Sequence, residues 1–166
     1  MPFDGTDSKT KPKRVKAPEQ VPDLSKPSYA ALVYLLRHPR LWQKKLLWDF
    51  SNVLLDEEGN SLFYSYRAKN KESLKCGTQG CAVGVALIQW SKAAIQLPAA
   101  ATDYAGWVQK FLGSELTRNE IDDIFFDSGM VYGNRPTDNV KPRHVATAIE
   151  KALARKAKET TPATAD

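Results

Sequence analysis

The chain has 166 residues, 42% of them hydrophobic and 10% aromatic, enough for one ordinary core and too few to favour two. Two cysteines are fewer than a disulfide scaffold of this size would use, no run of about eighteen apolar residues occurs, and the start shows no apolar stretch of signal-peptide length. We therefore expect a soluble, cytoplasmic protein that does not contact a membrane, with Cys76 and Cys81 as thiols.

The net charge is +5, and it is unevenly placed: residues 1–28 carry six basic and four acidic side chains, 29–150 fourteen and thirteen, and 151–166 four and two. The excess lies in the two ends, chiefly in "KTKPKRVK", where Lys9, Lys11, Lys13, Arg14 and Lys16 occur without an acid. Prolines at 2, 12, 18, 22 and 27 deny residues 1–27 any apolar period, and that segment is expected to be a disordered basic arm.

Order is expected from "KPSYAALVYLLRHP", with Ser28 as cap, Tyr29, Leu32, Val33 and Leu36 at helical spacing, and Pro39 as the stop. "RLWQKKLLWDF" extends this with a further turn or two of helix, and Arg37, Arg40, Lys44 and Lys45 form the dense positive patch of the folded part. "SNVLLDEEGNSLFYSYR" has the flanks and the Gly59-Asn60 turn of a small β-hairpin. From Thr78, as cap, the most apolar helix runs to Pro98 through Cys81, Val85, Ile88, Ala93 and Ile95, and should be central.

"DYAGWVQKFLG" follows as a helix closed by Gly113. "LTRNEIDDIFF" opens on a capping box, Thr117 with Glu120, and a staple, Leu116 with Ile121. Pro142 starts a last helix in which Val145, Ala148, Ile149, Ala152 and Leu153 share a face, and order should fade soon after Leu153. The expected architecture is mainly α: a single compact domain of five or six helices over residues 28–155, with a small β-hairpin and a disordered tail at 156–166. Leu32, Leu36, Val85, Ile88, Phe111, Leu112, Ile121, Phe125, Val145 and Ile149 hold the inward positions of these helices and should form the core.

The chemistry-bearing residues concentrate in "KCGTQGCAVGVA". Gly77, Gly80 and Gly84 do not make a dinucleotide or phosphate loop, and no clear strand leads into them. Gly80 and Gly84 on one helical face would instead admit a close neighbour. Cys81, early in the helix capped by Thr78, is where a thiolate nucleophile would sit, with His144 or His38 as the candidate base. Against that, Ala82, Val83 and Val85 suit a cysteine acting as a compact hydrophobe, so Cys81 is read as core and no catalytic residue is assigned. A zinc site would need Cys76, Cys81, His38 and His144 together, with spacing wider than a zinc knuckle, so neither metal nor cofactor is expected. Glu120, Asp122, Asp123 and Asp127 are read as capping and solubility.

"CGTQGCAVGVA" resembles the C-G-T-x-x-C-x-x-G-x-A signature of a group of small, mostly helical bacterial and phage proteins. "WDFS" before it, "KFLGSELTRNEIDDIFF" after it and "HVATAIEKAL" near the end are similar to further pieces of that group, so the resemblance spans about Tyr29 to Leu153. Gly80 departs from the pattern, where Ala or another small residue is usual. The resemblance implies a helical fold of bacterial or phage type and brings no functional residue with it.

Four functions compete. A protein-binding accessory or regulatory module would use aromatics such as Trp42, Trp48, Tyr64, Tyr66 or Trp107 as anchors for a partner protein. A nucleic-acid binder would make weak contacts through the basic arm with Arg37, Arg40, Lys44 and Lys45. A thiol enzyme would need Cys81, a histidine and a cleft, and an assembly protein only surfaces. The accessory module asks for no chemistry that the residues fail to display, and it leads.

Overall fold

A computed structural model describes residues 19–51, 79–90, 104–126 and 131–160. Five α-helices are complete among the described residues: α1, Tyr29–Arg37; α2, Ala82–Gln89; α3, Tyr104–Leu112; α4, Arg118–Phe125; and α5, Pro142–Thr160. Two-residue strands β1, Leu47–Trp48, and β2, Gln79–Gly80, pair in parallel, with Leu47 opposite Gln79 and Trp48 opposite Gly80. The protein is mainly α, as its apolar periods require. The hairpin expected around Gly59 lies outside the described residues, as do Thr78, Cys76 and the stretch from 91 to Pro98.

Helix α1 starts where Ser28 Oγ accepts the Ala31 amide at 3.1 Å, and it packs against both α5 and α2. Its apolar stripe is wide enough to serve two partners: Tyr29, Leu32, Leu35 and Leu36 are all buried. Helix α2 is buried on every side from Ala82 to Leu87, which is what a helix apolar all round demands. Helices α3 and α4 pack together, and α4 lies along α5. Nine of the ten residues expected in the core are buried, and the tenth, Ile88, packs half-buried at its edge.

Several local expectations are met by their own chemistry. Thr117 Oγ1 accepts the Glu120 amide at 3.2 Å while Glu120 Oε2 accepts the Thr117 amide at 2.8 Å. Both residues expected to form the staple, Leu116 and Ile121, are fully buried. Gly113, at φ +123°, ends α3 in a conformation that glycine adopts without strain.

Four expectations are corrected. Residues 40–50 are not a continued helix. After a 3₁₀ turn at Pro39–Leu41 the chain wraps around Trp42, whose Nε1 donates to the Leu35 carbonyl at 2.8 Å while the amides of Lys45 and Leu46 both return to the Trp42 carbonyl. The indole thus shares with the His38 amide a carbonyl in the last turn of α1. Second, a strand does lead into α2, and Cys81 is its N-cap instead of lying inside the helix; Gly80 is therefore in β2 and shares no helical face with Gly84. Third, residues 19–27 are part of the fold: Trp90 Nε1 donates to the Leu24 carbonyl at 3.0 Å and Leu24 packs on the core. Fourth, α5 runs to Thr160, beyond the expected boundary at 155. Alanine, lysine and arginine sustain a helix without large apolar residues, and Glu120 draws in both Arg155 and Lys156, at 3.4 and 3.5 Å.

Candidate functional site: a groove between α4 and α5

Cys81 is 2% exposed. Its Sγ closes no capping hydrogen bond of ordinary geometry, although the amides of Val83 and Gly84 act to favour the thiolate. Burial outweighs them and, with a smaller contribution from Asp49, pushes the thiol up to about 11. At pH 7 a group with that pKa is ionised in about one molecule in 10⁴.

Neither histidine is among the groups acting on that sulfur. His38 stacks on Tyr34 with its Nδ1 2.8 Å from the Tyr34 carbonyl, and its Nε2 lies 3.5 Å from Glu19. His144 Nδ1 accepts the Lys141 amide at 2.9 Å at the head of α5. That is the geometry of the acid in a capping box, supplied by an imidazole. Burial, reinforced by Arg135, Arg143 and Lys141, holds the His144 pKa below its ordinary value and keeps the ring in the neutral form the bond needs. The two candidate bases are thus structural caps. Among the described residues no three His, Cys, Asp or Glu side chains gather as a metal would require, and no helix is long and apolar enough to cross a membrane.

The expected basic surface is divided. Lys9, Lys11, Lys13, Arg14 and Lys16 lie outside the described residues. Arg37 is committed to Glu150, with Nε 3.2 Å from Oε1, and also donates to Thr147 Oγ1 at 3.3 Å. It braces α1 on α5. Arg40, Lys44 and Lys45 are exposed on the turn around Trp42. Two of the candidate aromatic anchors are core: Trp42 and Trp107 are buried, as the large apolar area of an indole favours. Trp48 is half-buried and donates Nε1 to the Val140 carbonyl at 2.7 Å. Tyr64 and Tyr66 fall outside the described residues.

One opening that the fold leaves is a groove of about 600 Å³ along α5. Its floor is Ile124 of α4, Val131, and Ala148 and Ala152 of α5. Glu120 and Asp123 edge it on α4, and Lys151, Arg155 and Lys158 on α5. Val131 is held at its end because the neighbouring Tyr132 hydroxyl donates to the Ile124 carbonyl at 2.8 Å in the last turn of α4. Although Val131 faces the groove, 39% of it is exposed. On the α4 side Glu120 already pairs with Arg155 and Lys156; although burial works the other way, its bonds to Thr117, with the help of Lys156, hold its carboxyl below the usual range. Lys151 and Lys158 pair with no carboxylate among the described residues. The groove is an apolar trough with an electropositive α5 edge.

Sequence reasoning missed this site. The stripe Lys151, Arg155 and Lys158 beside Ala148 and Ala152 was visible as i, i+4, i+7 spacing on one helix. Val131 and the α4 wall come from elsewhere in the chain, and only packing brings them together. Compared with family models, curated proteins and solved structures, the chain matches none.

Proposed function

We propose that this chain is a non-enzymatic accessory or regulatory module of bacterial or phage type, acting in the cytoplasm by binding another protein. The observation that carries the reading is the α4–α5 groove: a trough between two well-anchored helices, with Val131 and Ala154 exposed along it and Ile124, Ala148 and Ala152 buried beneath, of a volume that fits side chains of a docked segment. The signature resemblance around Cys81 supports the bacterial or phage setting. The buried thiol and the two engaged imidazoles argue against thiol chemistry. A photo-crosslinking amino acid at Ala154, which lines the groove, tests the reading against one at Asp122, which is exposed and does not. In cell extract Ala154 should give a discrete protein adduct and Asp122 none; the absence of any protein adduct at Ala154 would count against the module.

Exposed Arg40, Lys44 and Lys45, unpaired with any carboxylate among the described residues, favour a second reading in which the chain makes weak contacts with nucleic acid. Such binding should fall steeply with salt and with deletion of residues 1–18, because counterion release scales with the phosphates neutralised. Tight binding that survives both would show that the fold itself reads nucleic acid.

A further inference from the structure

Resting on the docking reading above, we propose that the occupant of the α4–α5 groove is an amphipathic helix of about three turns that carries carboxylates two turns apart along one edge. The length follows from α5: the lining residues run from Ala148 to Lys158, ten residues apart, or about 15 Å of helix at 1.5 Å per residue. Exposed Val131 and Ala154, over the buried Ile124, Ala148 and Ala152, give the trough a shallow apolar surface between its charged α4 and α5 edges, which suits a ridge of side chains from one helix.

The charge pattern fixes the chemistry of the occupant's edge. Lys151 and Lys158 are seven residues apart on the same edge, about 10 Å, and neither has an acidic partner among the described residues. Arg155, between them, already shares Glu120. The unsatisfied charge on the α5 edge is therefore two cations at two-turn spacing. Two carboxylates seven residues apart on an adjacent helix meet both. On the α4 edge Asp123 disfavours a second acid, so the occupant's opposite edge is neutral or basic. A second copy of this chain docking through its own α5 would set Lys151 and Lys158 against like charges, and nucleic acid would leave the apolar floor without a partner.

The test uses the full chain and three labelled synthetic fourteen-residue helical peptides with one apolar face in common. Their edge residues, seven apart, are glutamate, glutamine or lysine, and binding is read by fluorescence anisotropy. Two exposed ion pairs predict that the glutamate peptide binds about fivefold more tightly than the glutamine peptide. The preference should vanish near 0.5 M salt, where the screening length falls to about 4 Å. Lys151→Glu with Lys158→Glu should reverse the order and favour the lysine peptide, a rescue that mere misfolding cannot produce. Equal binding of all three peptides, weakened by Val131→Ser at the exposed end of the groove, would overturn the acidic partner while leaving the docking groove standing. Binding of none, with a protein adduct still forming at Ala154, would likewise overturn the helix and leave the docking reading. Binding of a DNA oligonucleotide that is lost with the same two lysines would overturn the proposal in favour of phosphate.

Discussion

Replacing Cys81 by serine and by alanine separates two accounts of the start of α2. If Cys81 were simply an apolar core residue, a hydroxyl in its place would cost about 1–3 kcal/mol and alanine would be the milder change. The structure places Cys81 at the N-cap, with extended backbone at φ −86° and ψ −167°, and with the amides of Val83 and Gly84 acting on its side chain. A serine there finds the free helix-start amides that its hydroxyl accepts best, and a serine cap is worth about 1 kcal/mol over alanine. The desolvation of the hydroxyl and the gain at the cap offset each other, so Cys81→Ser should fall within about 1 kcal/mol of the parent. Cys81→Ala loses the buried sulfur volume and offers the amides nothing in its place, and should lose about 1–2 kcal/mol. Urea unfolding followed by circular dichroism, with unchanged slope, measures both. A serine variant less stable than the alanine variant would show that the amides do not reach the side chain and that the cap argument is wrong.

Thr117→Ala should destabilise by about 1 kcal/mol, read by the same denaturation, because it strips the capping box from α4. Tyr29→Phe should be neutral or stabilising, since the buried Tyr29 hydroxyl has no hydrogen-bond partner among the described residues; a clear loss would reveal a partner. His144 is held below its ordinary pKa in the fold, so the folded state binds fewer protons than the unfolded chain. Its contribution to stability should be fully present above about 6.5 and lost as pH falls through the lower folded value. Following the imidazole by NMR checks the sign, and a folded pKa above the ordinary value would contradict the cap at Lys141.

The elements that could be read directly in the residues are those whose cause is local. Ser28, the Thr117–Glu120 box and Gly113 each act within three or four residues of themselves, and periodic leucines, valines and isoleucines point inward whatever they meet there. The start of α2 was misplaced because the Leu47–Trp48 strand, some thirty residues earlier in the chain, claims Gln79 and Gly80 for a sheet and moves the cap from Thr78 to Cys81. Trp42 and Trp107 read as anchors only while their neighbours were unknown; packing made them core. The groove depends on the same kind of distant meeting. Each of its edges is an ordinary amphipathic helix, and only the packing of α4 on α5 and the tether from Tyr132 to Ile124 bring Val131 and the α4 wall beside Ala148 and Ala152.

The most direct measurement is hydrogen–deuterium exchange on the full chain, alone and with the protein recovered through the Ala154 crosslink. Protection on binding should be confined to residues 120–126, 131–132 and 148–158, the two walls and the end of the groove. Protection concentrated instead on the turn around Arg40, Lys44 and Lys45, with α4 and α5 unchanged, would contradict the claim that this chain works by holding a partner between α4 and α5.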